Sequence, residues 1–259
     1  MKIIISPAKK MKVDTDSFEV TGEPKFINNT IILMNEIQSL SLSEAKALWK
    51  CSDKLAKLSY ERYKDMDLVH RLTPAVIAYE GLQYQHMAPG VFTAEALSYI
   101  SEHLRILSGF YGILKPFDGV TPYRLEMQAK LSVNGCKDLY DFWGDLLYQS
   151  LADNDRIIIN LASKEYSQCV EKYITPKDRF ITIEFGELVG GKVKQKGTQA
   201  KMARGAMVRF MAENNISNLN DIKDFRELGF AYFKELSNTE KYVFVTRGEW
   251  LHHEQENLP

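Results

Sequence analysis

Short runs of β-branched and other apolar residues recur along this chain, at Lys2–Ile5 and at residues 75–79, 156–160 and 180–185. Each stops near Pro, Gly, Ser or Asn, as a buried strand stops at a turn. Between these runs the apolar period lengthens. Residues 26–40 carry apolar side chains three and four apart, and residues 137–151 set Leu139, Phe142, Leu146 and Leu147 on one side. Thr93 precedes a helical stretch over 94–107, Ser43 with Glu44 opens another through Leu48 and Trp49, and residues 199–214 read as a further helix. Toward the C-terminus, residues 229–236 and Lys241–Thr246 alternate apolar and polar positions around Ser237-Asn238-Thr239-Glu240, which predicts a hairpin. Strands mixed with helices over the whole length predict an α/β (mixed α+β) fold with a mixed sheet flanked by helices.

No internal repeat or low-complexity linker divides the 259 residues, so one domain over 1–259 is expected, with 249–259 as a frayed tail. Basic and acidic residues balance at 33 and 34, and the net charge of -1 predicts no partner; attraction for nucleic acid needs a local patch. Cys51, Cys136 and Cys169 are odd in number and lack metal-ligand spacing, so buried reduced thiols are expected rather than disulfides or a zinc site. His252-His253 lies in the polar tail and reads as a frayed end rather than a metal site. Three N-terminal isoleucines are too few for a signal peptide, and no run is long enough to span a membrane. A cytoplasmic protein with no cofactor and no membrane partner is the expectation.

The densest charge feature lies over residues 188–212, which hold Lys192, Lys194, Lys196, Lys201, Arg204 and Arg209 and no acidic residue. Lys201 and Arg204 fall on one helical face, where phosphates would displace counterions. Gly205, inside that helix, costs about 1 kcal/mol against alanine; close approach of a backbone or a ligand would justify it, and so would packing. A second feature spans residues 104–116, where Arg105, Ser108, Gly109, Tyr111, Gly112 and Lys115 punctuate an apolar stretch. Two glycines three apart can expose backbone N–H groups to a phosphate, as in a helix-hairpin-helix element; a plain helix C-cap is the alternative.

A third set follows the strands: Ser6-Pro7-Ala8-Lys9, Glu80-Gly81, and Asn160 through Ser163, Glu165 and Tyr166. Open α/β sheets place ligands beyond the carboxyl ends of their strands, so these loops are candidates to line one cleft, with Tyr123, Arg124 and Glu126 beside them. Ser6, Lys9, Asn160, Ser163, Glu165 and Tyr166 are the candidate catalytic residues. Gly186 through Lys192 has phosphate-loop spacing, but Val193 stands where Ser or Thr must hold magnesium. A hairpin turning at Gly190-Gly191 accounts for it better.

Several blocks are similar to those of the YaaA peroxide-stress family: ISPAK at 5–9, SDKLA at 52–56, LRILSGFYGILKPFDGVTPYRLEM at 104–127, LYDFWG at 139–144, INLASKEY at 159–166 and KMARGAMVRF at 201–210. They occur in family order along nearly the whole chain. The resemblance implies a bacterial protein of compact mixed α/β fold that limits oxidative damage in peroxide stress and helps keep free intracellular iron low. It also implies binding of double-stranded DNA through a basic cleft containing a helix-hairpin-helix. Carried onto this chain, the hairpin falls at 104–115 and the cleft bases include Lys9, Arg105, Arg124, Lys201 and Arg204. Two readings follow. One is a DNA-binding protein recognising backbone shape through Lys9, Arg105, Ser108, Gly109, Tyr111, Gly112, Lys115, Arg124, Lys196, Lys201, Arg204 and Arg209. The other is a glycosylase-like enzyme acting on a nucleobase or nucleotide in the strand-end cleft.

Overall fold

The computed structural model describes residues 1–151 and 154–246. In chain order it forms β1 (Lys2–Ile5), α1 (Ile27–Ser39), α2 (Leu42–Trp49), α3 (Asp53–Lys64), α4 (Leu82–Met87), α5 (Ala94–His103), β2 (Leu104–Ser108) and β3 (Gly112–Leu114). There follow α6 (Leu139–Trp143), α7 (Leu146–Leu151), β4 (Ile157–Leu161), α8 (Lys164–Glu171), β5 (Arg179–Val189), β6 (Lys192–Lys194), α9 (Gly197–Glu213), β7 (Phe230–Tyr232) and β8 (Lys241–Thr246). The strands make one sheet in the order β7-β8-β5-β4-β1-β2-β3, with β6 paired to the far end of β5. The five inner strands, β8 to β2, run parallel, and β3, β6 and β7 are antiparallel. Ile3, Ile4 and Ile5 of β1 are fully buried, as expected of a central parallel strand covered on both faces. The fold is therefore the expected mixed α/β arrangement.

Most of the expected strands form. The β5–β6 hairpin turns at Gly190-Gly191, and β7 and β8 pair antiparallel as predicted. Four local expectations are corrected. Residues 75–79 read as a strand, but Ala75–Ala78 is one helical turn whose leading amides donate to the carbonyls of Asp118 and Pro116. The helix expected over 94–107 stops at His103, because Leu104 onward pairs with β1 in the register Ile3↔Leu104. The stretch 137–151 is two short helices separated at Gly144, where φ is +49. At α2, Ser41 rather than Ser43 caps the helix: its Oγ accepts from the Glu44 amide while the Glu44 carboxylate accepts from the Ser41 amide, a capping box.

The helix-hairpin-helix expected at 104–115 is also corrected. These residues form a β-hairpin in which Ile106 pairs with Leu114 and Ser108 with Gly112. Its turn is buried, and Ser108 Oγ accepts from the amides of Phe110 and Tyr111 at 3.1 and 2.9 Å, so neither faces a phosphate. Gly112, at φ +74, has the Trp143 ring against it: a Cβ at this position would lie 2.8 Å from the ring. Trp143 Nε1 also donates to the Gly109 carbonyl at 3.0 Å. The glycine spacing thus serves packing of α6 against the hairpin. A helical hairpin does exist elsewhere: α2 and α3 are joined by Lys50, Cys51 and Ser52, with Lys50 at φ +45 and Trp49 stacked on Tyr63. Cys169 is buried, whereas Cys51 and Cys136 are half-buried, and all three are free thiols. The expected tail over 249–259, including His252-His253, lies outside the described residues.

Candidate functional site

The parallel register Ile5↔Leu161 sets the ends of β1 and β4 side by side. There Ser6 Oγ accepts from the Ser163 amide at 2.8 Å and donates to Ser163 Oγ at 3.2 Å, tying the two loops together. Beyond them opens a cleft of about 380 Å³, walled by 6–10, 80–84, 123–126, Ser163, Glu165 and Tyr166 and by Lys201 and Arg204 of α9. This is the strand-end position at which open α/β sheets hold ligands. Gly205 lets α9 reach the cleft: a Cβ there would stand 3.0 Å from the Met87 amide nitrogen and still closer to the Gln83 carbonyl. The close backbone approach expected of Gly205 is therefore that of α4.

The cleft carries five cations and three carboxylates. Lys9 Nζ and Arg124 lie 2.9 and 3.3 Å from the Glu126 carboxylate, and Lys10 lies 3.0 Å from Glu80. Lys201 and Arg204 form no ion pair with any described residue. Arg204 is deeply set, and desolvation depresses its guanidinium pKa. Its Nε, Arg124 Nε and Gln83 Nε2 are buried without an acceptor. All three residues line the cleft. One further buried side-chain N or O among the described residues lacks a partner, Trp49 Nε1, which belongs to a small adjoining pocket that shares Glu126. A buried donor left unsatisfied costs about 1–3 kcal/mol. Three of them around one cavity make a surface complementary to an acceptor-rich or anionic ligand.

Tyrosines buttress this surface. Tyr123 OH hydrogen-bonds Tyr79 OH at 2.8 Å and Ser108 Oγ at 2.6 Å, Tyr84 OH donates to the Ser6 carbonyl at 3.0 Å, and Tyr63 OH donates to the Arg124 carbonyl at 3.3 Å. Burial pushes the Tyr123 hydroxyl up to about 12, so it stays a neutral hydrogen-bonding group at ordinary pH. Burial also raises the pKa of Glu165, against the opposing Gln128 amide and the nearby charge of Lys9. Glu165 is thus a carboxyl that protonates more readily than an exposed one, beside a lysine.

Of the residues expected from sequence, the structure brings Ser6, Lys9, Arg124, Ser163, Glu165, Tyr166, Lys201 and Arg204 to this cleft. Asn160 is not among them: buried in β4, it donates to Thr182 Oγ1 and accepts from the Ala162 amide. Ser108, Gly109, Tyr111 and Gly112 are buried in the hairpin, and Tyr111 OH accepts from the Thr121 amide. Arg105 donates to the Leu104 and Ser101 carbonyls, and Lys115 is exposed away from the cleft. Lys196 and Arg209 also lie outside it, paired with Glu187 and Glu213. Lys10, Gln83 and Tyr84 were not anticipated; the signal available was the Glu80-Gly81 step opening α4. Among the described residues, no group of three His, Cys, Asp or Glu side chains is placed to hold a metal ion, and no helix is long and apolar enough to cross a membrane.

The family model described as Peroxide stress protein YaaA matches residues 1–236. The chain belongs to this family. It is 59% identical over 244 residues to a UPF0246 protein of Agathobacter rectalis, covering 94% of this chain and 98% of the relative. A UPF0246 protein of Pediococcus pentosaceus is 54% identical, with 95% and 98% covered, and one of Lachnoclostridium phytofermentans 55%, with 96% and 97%. The cleft residues all fall inside the stretch that matches the YaaA model.

Proposed function

We propose that this YaaA-family protein acts in peroxide stress by binding double-stranded DNA across the strand-end cleft, limiting oxidative damage and, as a cellular outcome, free iron. The observation that carries the reading is the uncompensated pair Lys201 and Arg204 above a cleft with three buried, acceptor-less donors. Phosphate oxygens supply the missing acceptors, and charge-assisted bonds from guanidinium to phosphate are among the stronger ones in proteins. The helical hairpin borders the same region through the pocket that shares Glu126, and it presents exposed Lys50, Lys54 and Lys57. A backbone-reading interface of this kind is sequence-independent. Fluorescence anisotropy of a labelled duplex tests it: Lys9→Ala/Lys201→Ala weakens binding, whereas Lys177→Ala, an exposed lysine outside the cleft, leaves it unchanged. Equal affinity of all three proteins would defeat the reading.

A second reading, a nucleobase-directed enzyme, is favoured by Glu165, whose burial keeps a proton available at a higher pH than usual. Release of free base from duplex DNA, lost in Glu165→Gln, would support it; no release from matched or damaged duplex would remove it.

A further inference from the structure

We infer that the strand-end cleft is a pocket for a single nucleotide unit, taking one nucleotide out of the stack of bound DNA. The inference rests on the DNA reading for the source of that nucleotide but not for the chemistry of the pocket. The cleft volume of about 380 Å³ lies in the range of small-ligand sites. Such a cavity admits one nucleotide and cannot admit a base pair still stacked in a duplex, so its occupant must be everted or free.

The lining divides by chemistry in the way a nucleotide does. Leu82, Tyr84, Tyr123 and Leu125 supply apolar and aromatic surface for a planar base. Gln83 is 7% exposed, and its Nε2 has no acceptor although the residue lines the cavity. A buried carboxamide offers both a donor and an acceptor, the pattern that reads a base edge. Arg204 is desolvated, faces no carboxylate and leaves Nε–H unmet, while Lys201 one turn away stays exposed at the rim. That pair suits a phosphate, which provides several acceptor oxygens and the missing negative charge. A neutral sugar satisfies the donors but not the charge, an apolar ligand satisfies neither, and inorganic phosphate alone leaves Gln83 and the tyrosine wall unused.

Duplexes carrying 2-aminopurine, in matched and mispaired positions, report eversion by a rise in fluorescence while anisotropy on the same samples reports binding. Calorimetry with free nucleoside monophosphates reports the other source. The wild-type protein is expected to raise 2-aminopurine fluorescence at saturation, most at the mispair, which costs least to unstack. Gln83→Leu, near-isosteric, is expected to bind the duplex but lose the rise, whereas Arg204→Met is expected to weaken duplex binding, to lose the rise even at saturation and to lose about 10- to 100-fold in any monophosphate affinity. Lys201→Ala, at an exposed position, serves as the variant least able to disturb folding, and thermal melts confirm that each variant is folded. Monophosphate binding without duplex binding would keep the pocket and remove DNA as its source. Saturated duplex binding with no fluorescence change at any position, together with no monophosphate binding, would overturn the pocket while leaving the DNA reading intact.

Discussion

Replacing Gly205 by alanine sets two known effects against each other at one atom. In an exposed helix the change would stabilise by about 1 kcal/mol. Here the added methyl would lie 2.8 Å from the Gln83 carbonyl carbon and 3.0 Å from the Met87 amide nitrogen, and closer still to the Gln83 oxygen. These are backbone atoms of α4, with no flexible end to swing away, so α9 and α4 must separate. Overpacking of this kind costs about 1–3 kcal/mol, and a backbone obstacle belongs at the upper end. The net expectation is a loss of about 2 kcal/mol, or roughly 4–8 °C in Tm for a chain of this size. Thermal unfolding followed by circular dichroism measures it. The same shift moves Lys201 and Arg204 relative to Gln83, so duplex affinity should fall with stability. An unchanged or raised Tm would mean that propensity wins and that the helices do not meet at Gly205.

Three further outcomes follow from particular contacts. Trp143→Phe leaves the buried Gly109 carbonyl without its donor and should destabilise by about 1–3 kcal/mol in urea unfolding. Ser108→Ala removes the acceptor shared by the Phe110 and Tyr111 amides and the partner of Tyr123 OH, with a loss of about 2–3 kcal/mol by the same assay. Asp118 tests the pH dependence. Burial lifts its carboxyl from 3.8 to about 6, so between those values the folded state binds more protons than the unfolded one. Its contribution is full below pH 3.8 and is lost as pH rises through 6, a change of about 3 kcal/mol. Asp118→Asn should therefore gain on the wild type by that amount between about pH 4 and 7; a constant difference would contradict the assignment.

What the sequence disclosed depended on how local the cause was. The isoleucine run of β1, the turn between β5 and β6 and the C-terminal hairpin were legible because pattern and punctuation agree within a few residues. Leu104–Ser108 was not, since Ile100, Leu104 and Leu107 continue a helical spacing that only pairing with β1 interrupts. Ala75–Ala78 misled for the opposite reason: an apolar run reads as a strand until Asp118 and Pro116 claim its amides. Strand-end logic gathered Ser6, Lys9, Ser163, Glu165 and Tyr166, and helical spacing put Lys201 beside Arg204. The ion pairs that occupy Lys196 and Arg209, and the part of Gln83, depend on side-chain contacts that no local pattern encodes.

The most direct test of the central claim is the salt dependence of duplex binding. Some five or six phosphates on Lys9, Lys201, Arg204 and the hairpin lysines give a slope of log affinity against log salt of roughly -4.5 to -5.4, or about 500- to 2,000-fold between 50 and 200 mM. Removing Lys201 should flatten that slope by about 0.9. A flat salt response, or a slope indifferent to Lys201, would contradict DNA binding at the cleft.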